Sequence, residues 1–246
     1  MNIGIVCEGP TDYILLKAIT DHITKEENHF NALQPEQDLC GRYGNGWKGV
    51  WKWCTDNAEQ KEKLMKEISP GLDLLIVQMD GDVSRKEKIA HCWCESTLCD
   101  KKHIENPIKC DEEKTVREQC PIVLPCTNHR ECADGYRKHL ENLIQKCLVN
   151  MEDTCTIIPC DSTEAWIVAA YDEIEKVEEI KNPWENVIAK KKYYHDIRVR
   201  KEKKSTIIFK EFANEVCRNW NKVTELCTSA KIFEENLLHM KRGQGA

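Results

Sequence analysis

What this chain lacks narrows the field first. No apolar run approaches the ~20 residues needed to cross a bilayer, so no membrane span is expected. The first residues read as a strand, not as a charged stretch with an apolar segment and a cleavage site behind it. That pattern argues against a secretory signal and for a cytoplasmic location. There is no Gly-x4-Gly-Lys-Ser/Thr phosphate loop, so a motor driving this protein would be a partner ATPase on another polypeptide. No internal repeat or flexible linker divides the 246 residues, which suffice for a single domain with a smaller appendage. Positive charge is not in excess either. A formal net charge of −6 speaks against a wholesale nucleic-acid coat and leaves such contacts to local basic patches.

Cysteine, by contrast, is plentiful. Without a secretory signal, 15 cysteines suggest thiols or metal ligands before disulfides. Cys92, Cys94, Cys99, Cys110, Cys120, Cys126 and Cys132 crowd into about forty residues, with His91, His103 and His129 among them. No secondary-structure period survives across 83–132, so this is read as a Cys/His-rich insertion, longer than an ordinary loop. Cys92, Cys94, Cys99, Cys120, Cys126, His129 and Cys132 could close a structural zinc site. Their spacing is not a paired Cys-x2-Cys pattern, and buried free thiols are the alternative.

The remaining pattern alternates strand and helix. Residues 3–7 form a short β-branched run, broken by Gly9-Pro10-Thr11 and followed by the helical stripe Leu15, Ala18, Ile19, His22, Ile23. Residues 28–55, with glycines interleaved among Tyr43, Trp47, Trp51 and Trp53, resemble a loop or hairpin. A charged helix is expected over 56–68 and a doubly buried central strand over 74–79. Tyr136, Leu140, Leu143, Ile144 and Cys147 predict a helix. A strand over 154–159, a helix over 162–172 and two helices at about 206–219 and 221–240 complete the reading. The expected fold is α/β, a mainly parallel sheet flanked by helices, with a basic, helical C-terminal extension over 183–246.

Acidic residues stand where the apolar runs end. Glu8 follows Ile3-Gly4-Ile5-Val6-Cys7, with Asp12 four residues on; Asp80 and Asp82 follow the run ending in Met79; Glu164 follows Thr156-Ile157-Ile158-Pro159. In an open α/β sheet the carboxyl ends of parallel strands share one crevice, where ligands bind. Carboxylates gathered there repel unless a cation neutralises them, which points to a divalent-metal site. Each acid also has a plainer explanation. Asp12 could simply complement a helix dipole, Asp80-Gly81-Asp82 could be a turn, and Asp161-x-x-Glu164 has the form of a capping box. The coincidence of three strand ends, each delivering acid, favours the site.

These residues carry a resemblance. Glu8-Gly9-x-x-Asp12 followed by Asp80-x-Asp82 resembles the Toprim domain of topoisomerases, primases and the overcoming-lysogenization-defect (OLD) nucleases. Asp12 and Ser162-x-Glu164 match features particular to the OLD nucleases. The chain also resembles small stand-alone bacterial Toprim proteins through Ser162-Thr163-Glu164-Ala165-Trp166, the cysteine-rich middle and Trp220…Cys227…Ala230…Phe233. The resemblance implies a Toprim-like (Rossmann-like) fold and two-metal phosphodiester hydrolysis. Glu8 and Asp12 would serve one Mg²⁺ or Mn²⁺ ion; Asp80, Asp82 and Glu164 would serve the other, with Ser162 nearby. It also implies a catalytic lysine after the Ser-x-Glu motif, for which Lys204 or Lys201 is the candidate, and a role in defence against phage. No tyrosine is placed as a topoisomerase nucleophile, and no primase machinery is present, so cleavage by water fits better.

A nuclease needs cations against the phosphate backbone. Lys190, Lys191, Lys192, Arg198, Arg200, Lys201 and Lys204 supply them, with Tyr193 and Tyr194 for stacking. A solvated surface run is the alternative. The expected function is a metal-dependent nuclease, DNA favoured, with RNA or transfer RNA open because nothing reads the 2′-hydroxyl. The rival is a non-catalytic Toprim scaffold that binds nucleic acid or a partner ATPase. Oligomeric state is left open.

Overall fold

Three apolar runs and one mixed edge segment pair side by side, and the strand period of two puts alternate residues on opposite faces. The computed structural model describes residues 1–35, 46–84, 133–148, 150–189, 192–200 and 204–243. Strands β1 (Asn2–Val6), β2 (His29–Gln34), β3 (Leu74–Gln78) and β4 (Thr154–Ile157) form a parallel sheet in the order β2-β1-β3-β4. β1 and β3 are buried throughout, as expected for central strands covered on both faces.

One face carries Ile3, Ile5, Leu74, Ile76, Cys155 and Ile157. It packs on α1 (Pro10–Thr24), α5 (Glu164–Tyr171), α7 (Thr206–Arg218), α8 (Trp220–Leu226) and α9 (Thr228–Gly243). The other face carries Val6, Leu75 and Val77. It packs on α2 (Gly46–Asn57), α3 (Lys61–Glu67) and α4 (Ala133–Leu148) through Val50, Trp51, Cys54, Met65, Leu140, Ile144 and Leu148. There remain, among the described residues, α6 (Pro183–Ala189), a hairpin of β5 (Tyr193–Tyr194) and β6 (Ile197–Arg198), and 3-10 turns at Gly81–Ser84 and Val177–Glu179. The expected α/β architecture, a mainly parallel sheet between helices, is what the chain adopts.

Three expectations need correction. The 28–55 stretch is not a hairpin: it supplies the edge strand β2 and the helix α2, where Val50, Trp51 and Cys54 make a buried stripe at helical spacing. The charged helix over 56–68 is shorter, because α2 ends at Asn57 and α3 begins at Lys61. The last helix is two. It breaks at Cys227, after which the Thr228 and Ser229 N–H groups donate to the Glu178 carboxylate (2.8 and 3.0 Å). An acid from elsewhere in the chain thus satisfies the start of α9.

At the amino ends of the strands, the side chains of Asn2 and Lys61 find neutral partners, while the Asn2 N–H donates to the Asp73 carboxylate (2.7 Å). The Asn2 side-chain amide donates to the Gly71 carbonyl (2.7 Å) and its oxygen accepts from Asn31 Nδ2 (2.9 Å). Lys61, 3% exposed, donates from Nζ to Thr154 Oγ1 (2.9 Å) and to the Asn150 carbonyl. Cys7, Cys54, Cys147, Cys155, Cys160, Cys217 and Cys227 are free thiols. Cys7 is buried core beside Glu8, and burial pushes its thiol up. The seven candidate zinc ligands, from Cys92 to Cys132, lie outside the described residues. Among the described residues no helix is long and apolar enough to cross a membrane.

Candidate active site at the carboxyl edge of the sheet

The strand order makes a switch point. The chain leaves β1 for β2 on one side, then returns to β3 on the other, so β1 and β3 diverge in their connections. Crevices of this kind open beyond the carboxyl ends of the strands. Glu8 lies just past β1 and Asp80 just past β3, and they are joined: the Asp80 N–H donates to Glu8 Oε1 (2.7 Å). Gln78 completes a lace between the two strands. Its Oε1 accepts from the Glu8 N–H (3.1 Å) and its Nε2 donates to Asp80 Oδ1 (2.7 Å). Gln78 is fully buried. It was not singled out from sequence, although a lone amide in the run Leu74–Met79 was a signal.

Asp12 sits in the first turn of α1, which opens with Pro10 after Gly9. Its carboxylate is 7% exposed and accepts a 2.6 Å hydrogen bond from Thr163 Oγ1, another residue not singled out from sequence. Asp82 is the second residue of a 3-10 turn over Gly81–Ser84, and its N–H donates to the Asp161 carbonyl (3.0 Å). Gly81 is required between the two acids. A Cβ there would stand 2.2 Å from the Pro159 carbonyl oxygen and 2.7 Å from that of Cys160, so the exits of β3 and β4 touch through bare backbone.

Glu164 opens α5 and is fully buried. The capping-box explanation does not hold. Thr163 is the N-cap and makes no side-chain cap bond, while Asp161 Oδ1 accepts from the Asn182 N–H (3.1 Å). Glu164 Oε1 instead forms an ion pair with Lys204 Nζ, and among the described residues Oε2 has no hydrogen-bond partner. Ser162, 7% exposed, lies next to these groups in the chain, and its carbonyl accepts from the Ala165 N–H (3.0 Å). The Lys204 ammonium also stands 5.7 Å from the centre of the Trp184 ring on α6.

Electrostatics tie the acids together. Burial first, then the charges of Glu8, Asp12, Asp82 and Glu164, push Asp80 well above the ordinary carboxylate range. Burial and then Glu164 raise Asp12 to about 6, against the lowering pull of Thr163 and Lys204. Burial alone would lower Lys204, but the Glu164 carboxylate, with Asp80 and Asp12 behind it, holds the ammonium above its usual range. Asp80 thus feels the other four acids named from sequence, Asp12 feels Glu164, and Lys204 feels Glu164, Asp80 and Asp12.

Among the described residues, no three Asp, Glu, His or Cys side chains stand in an arrangement that holds a metal ion. The individual bonds account for this: Glu8 is turned to the Asp80 amide, Asp80 to Gln78, Asp12 to Thr163 and Glu164 to Lys204. The donor chemistry nonetheless suits a hard divalent cation. It is oxygen only, it carries more negative charge than Lys204 offsets, and it includes a buried carboxylate oxygen with no hydrogen bond among the described residues.

Of the expected phosphate contacts, Lys192, Arg198 and Arg200 are exposed on and beside the β5–β6 hairpin. Lys190, Lys191 and Lys201 lie outside the described residues. Tyr193 is 54% exposed, whereas Tyr194 is fully buried and is not available for stacking.

Fold and site together define a parallel α/β protein with an acidic cluster at its switch point, in which Asp12 and Glu164 are buried and Glu8, Asp80 and Asp82 half-buried. Comparison with models of protein families, with curated proteins and with solved structures found no match to this chain.

Proposed function

We propose that this protein is a Toprim-like, divalent-metal-dependent nuclease that hydrolyses phosphodiester bonds, with DNA the favoured substrate. The observation that carries the reading is that Glu8 and Asp80 are hydrogen-bonded across the switch point, with Asp12, Asp82 and Glu164 within electrostatic reach of Asp80 and Lys204 paired to Glu164. A structural role does not call for like charges to be gathered at one edge, two of them buried, whereas phosphodiester chemistry calls for concentrated cations at that place.

Glu8, Asp12, Asp80, Asp82 and Glu164 would hold Mg²⁺ or Mn²⁺. Bound there, the ions would supply an activated water and neutralise charge on the leaving oxygen. The chain's own residues do the rest. Gln78 fixes the angle between Glu8 and Asp80, and Thr163 fixes Asp12. Lys204, whose side chain is 40% exposed, can meet a phosphate oxygen while staying beside Glu164. The fully buried α5 holds Glu164 in place from behind.

The test is incubation of the purified protein with plasmid and with RNA in Mg²⁺ or Mn²⁺. Cleavage is expected, and Asp80→Asn or Glu8→Gln should slow it by at least ~100-fold. Unchanged cleavage in both variants sinks the reading.

A second reading, a non-catalytic scaffold for nucleic acid or a partner ATPase, has one observation in its favour: Glu164 already has a counter-charge in Lys204. Titration calorimetry with Mn²⁺ separates the two. A scaffold takes up no metal that depends on Asp80 and Glu164.

A further inference from the structure

The β5–β6 hairpin has two unlike faces. Its register pairs Tyr194 with Ile197 and Tyr193 with Arg198, and directly paired residues point to the same side. His195 and Asp196, at φ 44° and 67°, make the two-residue left-handed turn that suits the twist of such a ribbon.

The inward face is clamped. The Tyr194 hydroxyl donates to Asp172 Oδ2 (3.0 Å), and His195 Nε2 lies 2.7 Å from Asp172 Oδ1. The Tyr194 ring packs 5.3 Å from Tyr171 and 6.0 Å from Phe212, centre to centre. Val199 is 6% exposed, and its N–H donates to the Lys192 carbonyl (3.0 Å), lengthening the ribbon. A two-residue hairpin is marginal alone; this one is fixed to the end of α5.

The outward face presents Tyr193, 54% exposed, beside the exposed Arg198, and period two brings Arg200 to the same side. Lys192 is exposed at the foot of the ribbon. Across 192–200 the charges are Lys192, Arg198 and Arg200 against Asp196, in a protein that is otherwise net acidic. The hairpin also lies near the carboxylates. β5 contacts α6, whose Trp184 faces Lys204. Only four steps of chain separate Arg200 from Lys204, a reach of about 14 Å at most.

We propose that this outward face is a landing platform for single-stranded nucleic acid, with a base stacked on Tyr193 and the flanking phosphates on Arg198 and Arg200. A ring flanked by cations gains little from a duplex, whose base faces are already covered by their neighbours. On an unpaired strand it takes up a base face of any sequence. The platform rests on hairpin geometry alone. Only its delivery of the strand to the carboxylates rests on the nuclease reading, and the ~14 Å reach corresponds to roughly four nucleotide steps at the ~3.4 Å rise of a stacked strand.

The experiment is fluorescence anisotropy on the full chain in EDTA, so that nothing is cut. The probes are labelled single-stranded DNA and RNA of about twenty nucleotides and their duplexes. Single strands are expected to bind more tightly than duplexes. Tyr193→Ala should weaken single-strand binding about tenfold or more, Tyr193→Phe should restore it, and Arg198→Ala should weaken it while lowering the salt slope by ~0.7. Dependence on Tyr193 with either DNA or RNA supports the platform, and any preference identifies the strand. Duplex binding as tight as single-strand binding, a Tyr193→Ala variant that binds like the parent, or no binding at all overturns it. Cleavage is scored separately. If the parent cuts but Tyr193→Ala binds unchanged, the platform falls and the nuclease reading stands. If single strands bind as expected and no divalent ion yields cleavage, the nuclease reading falls and the platform stands.

Discussion

The two ends of the sheet handle buried polarity in opposite ways. At the amino ends, the side chains of Asn2 and Lys61 find neutral oxygens and the Asn2 N–H finds the Asp73 carboxylate, so donors there meet acceptors. At the carboxyl ends, Glu8, Asp12, Asp82 and Glu164 raise the cost of charging Asp80, and among the described residues Glu164 keeps a carboxylate oxygen without a hydrogen bond. Both ends belong to the same strands and the same two cores. The difference therefore lies in side-chain chemistry and not in the fold, and a fold satisfied everywhere else tolerates such a burden where it has a use.

That contrast can be broken from several sides. The largest effect is expected from Gly81→Ala, which forces apart the exits of β3 and β4. Urea unfolding should show a loss of about 3 kcal/mol or more, and a loss under 1 kcal/mol would mean the close approach is not needed. The pH dependence comes next. Asp12 titrates at about 6 when folded, above the ~3.9 of an unfolded aspartate. Its proton therefore favours the folded state fully below about pH 4, and that stability is lost as the pH rises through about 6. In metal-free buffer the fall is about 3 kcal/mol, and Asp12→Asn should flatten it; a parent whose stability rises over that range would contradict the assignment.

Lys204→Met strips Glu164 of its counter-charge. Breaking a buried pair costs ~3–5 kcal/mol, but the Lys204 side chain is 40% exposed, so about 2–3 kcal/mol is expected after solvent screening. Thermal melts with and without Mn²⁺ provide the check, since added metal should restore most of the loss. The finest discrimination compares two single changes in EDTA. Asp80→Asn should stabilise by about 1 kcal/mol, because it removes charge from a crowded site. Asn2→Ala should destabilise by about 1–2 kcal/mol, because it leaves buried partners unmet. If both move the same way, the two ends are not different in kind.

Much of this was legible in the residues. β1, β3 and β4 announce themselves as apolar runs closed by acid, and the parallel arrangement follows from helices between them. The edge strand β2 and the helix α2 were not. β2 carries no clean alternation, and the glycine–aromatic spacing at 41–53 masks the helical stripe of Val50, Trp51 and Cys54. The break at Cys227 was hidden because Glu178, which satisfies the start of α9, is about fifty residues away in the chain. At the site, the acids were visible as a pattern, but Gln78 and Thr163, which aim them, look like ordinary members of a strand and a turn. Sequence shows which charges end up near one another; it does not show which neutral group holds each one at its angle.

Helix α5 has no wet side over most of its length. From Glu164 to Ala170 every residue is buried, and Trp166 is wedged between Trp220 and Phe233 while its Nε1 donates to Ser229 (2.9 Å). A helix enclosed in this way cannot fray by itself, because its first turn is packed as deeply as its middle. Glu164 is therefore as immobile as the hydrophobic interior around it. Amide exchange at Ala165–Val168 should proceed only through whole-molecule opening, and the acidic pocket would persist intact until the protein melts as a unit.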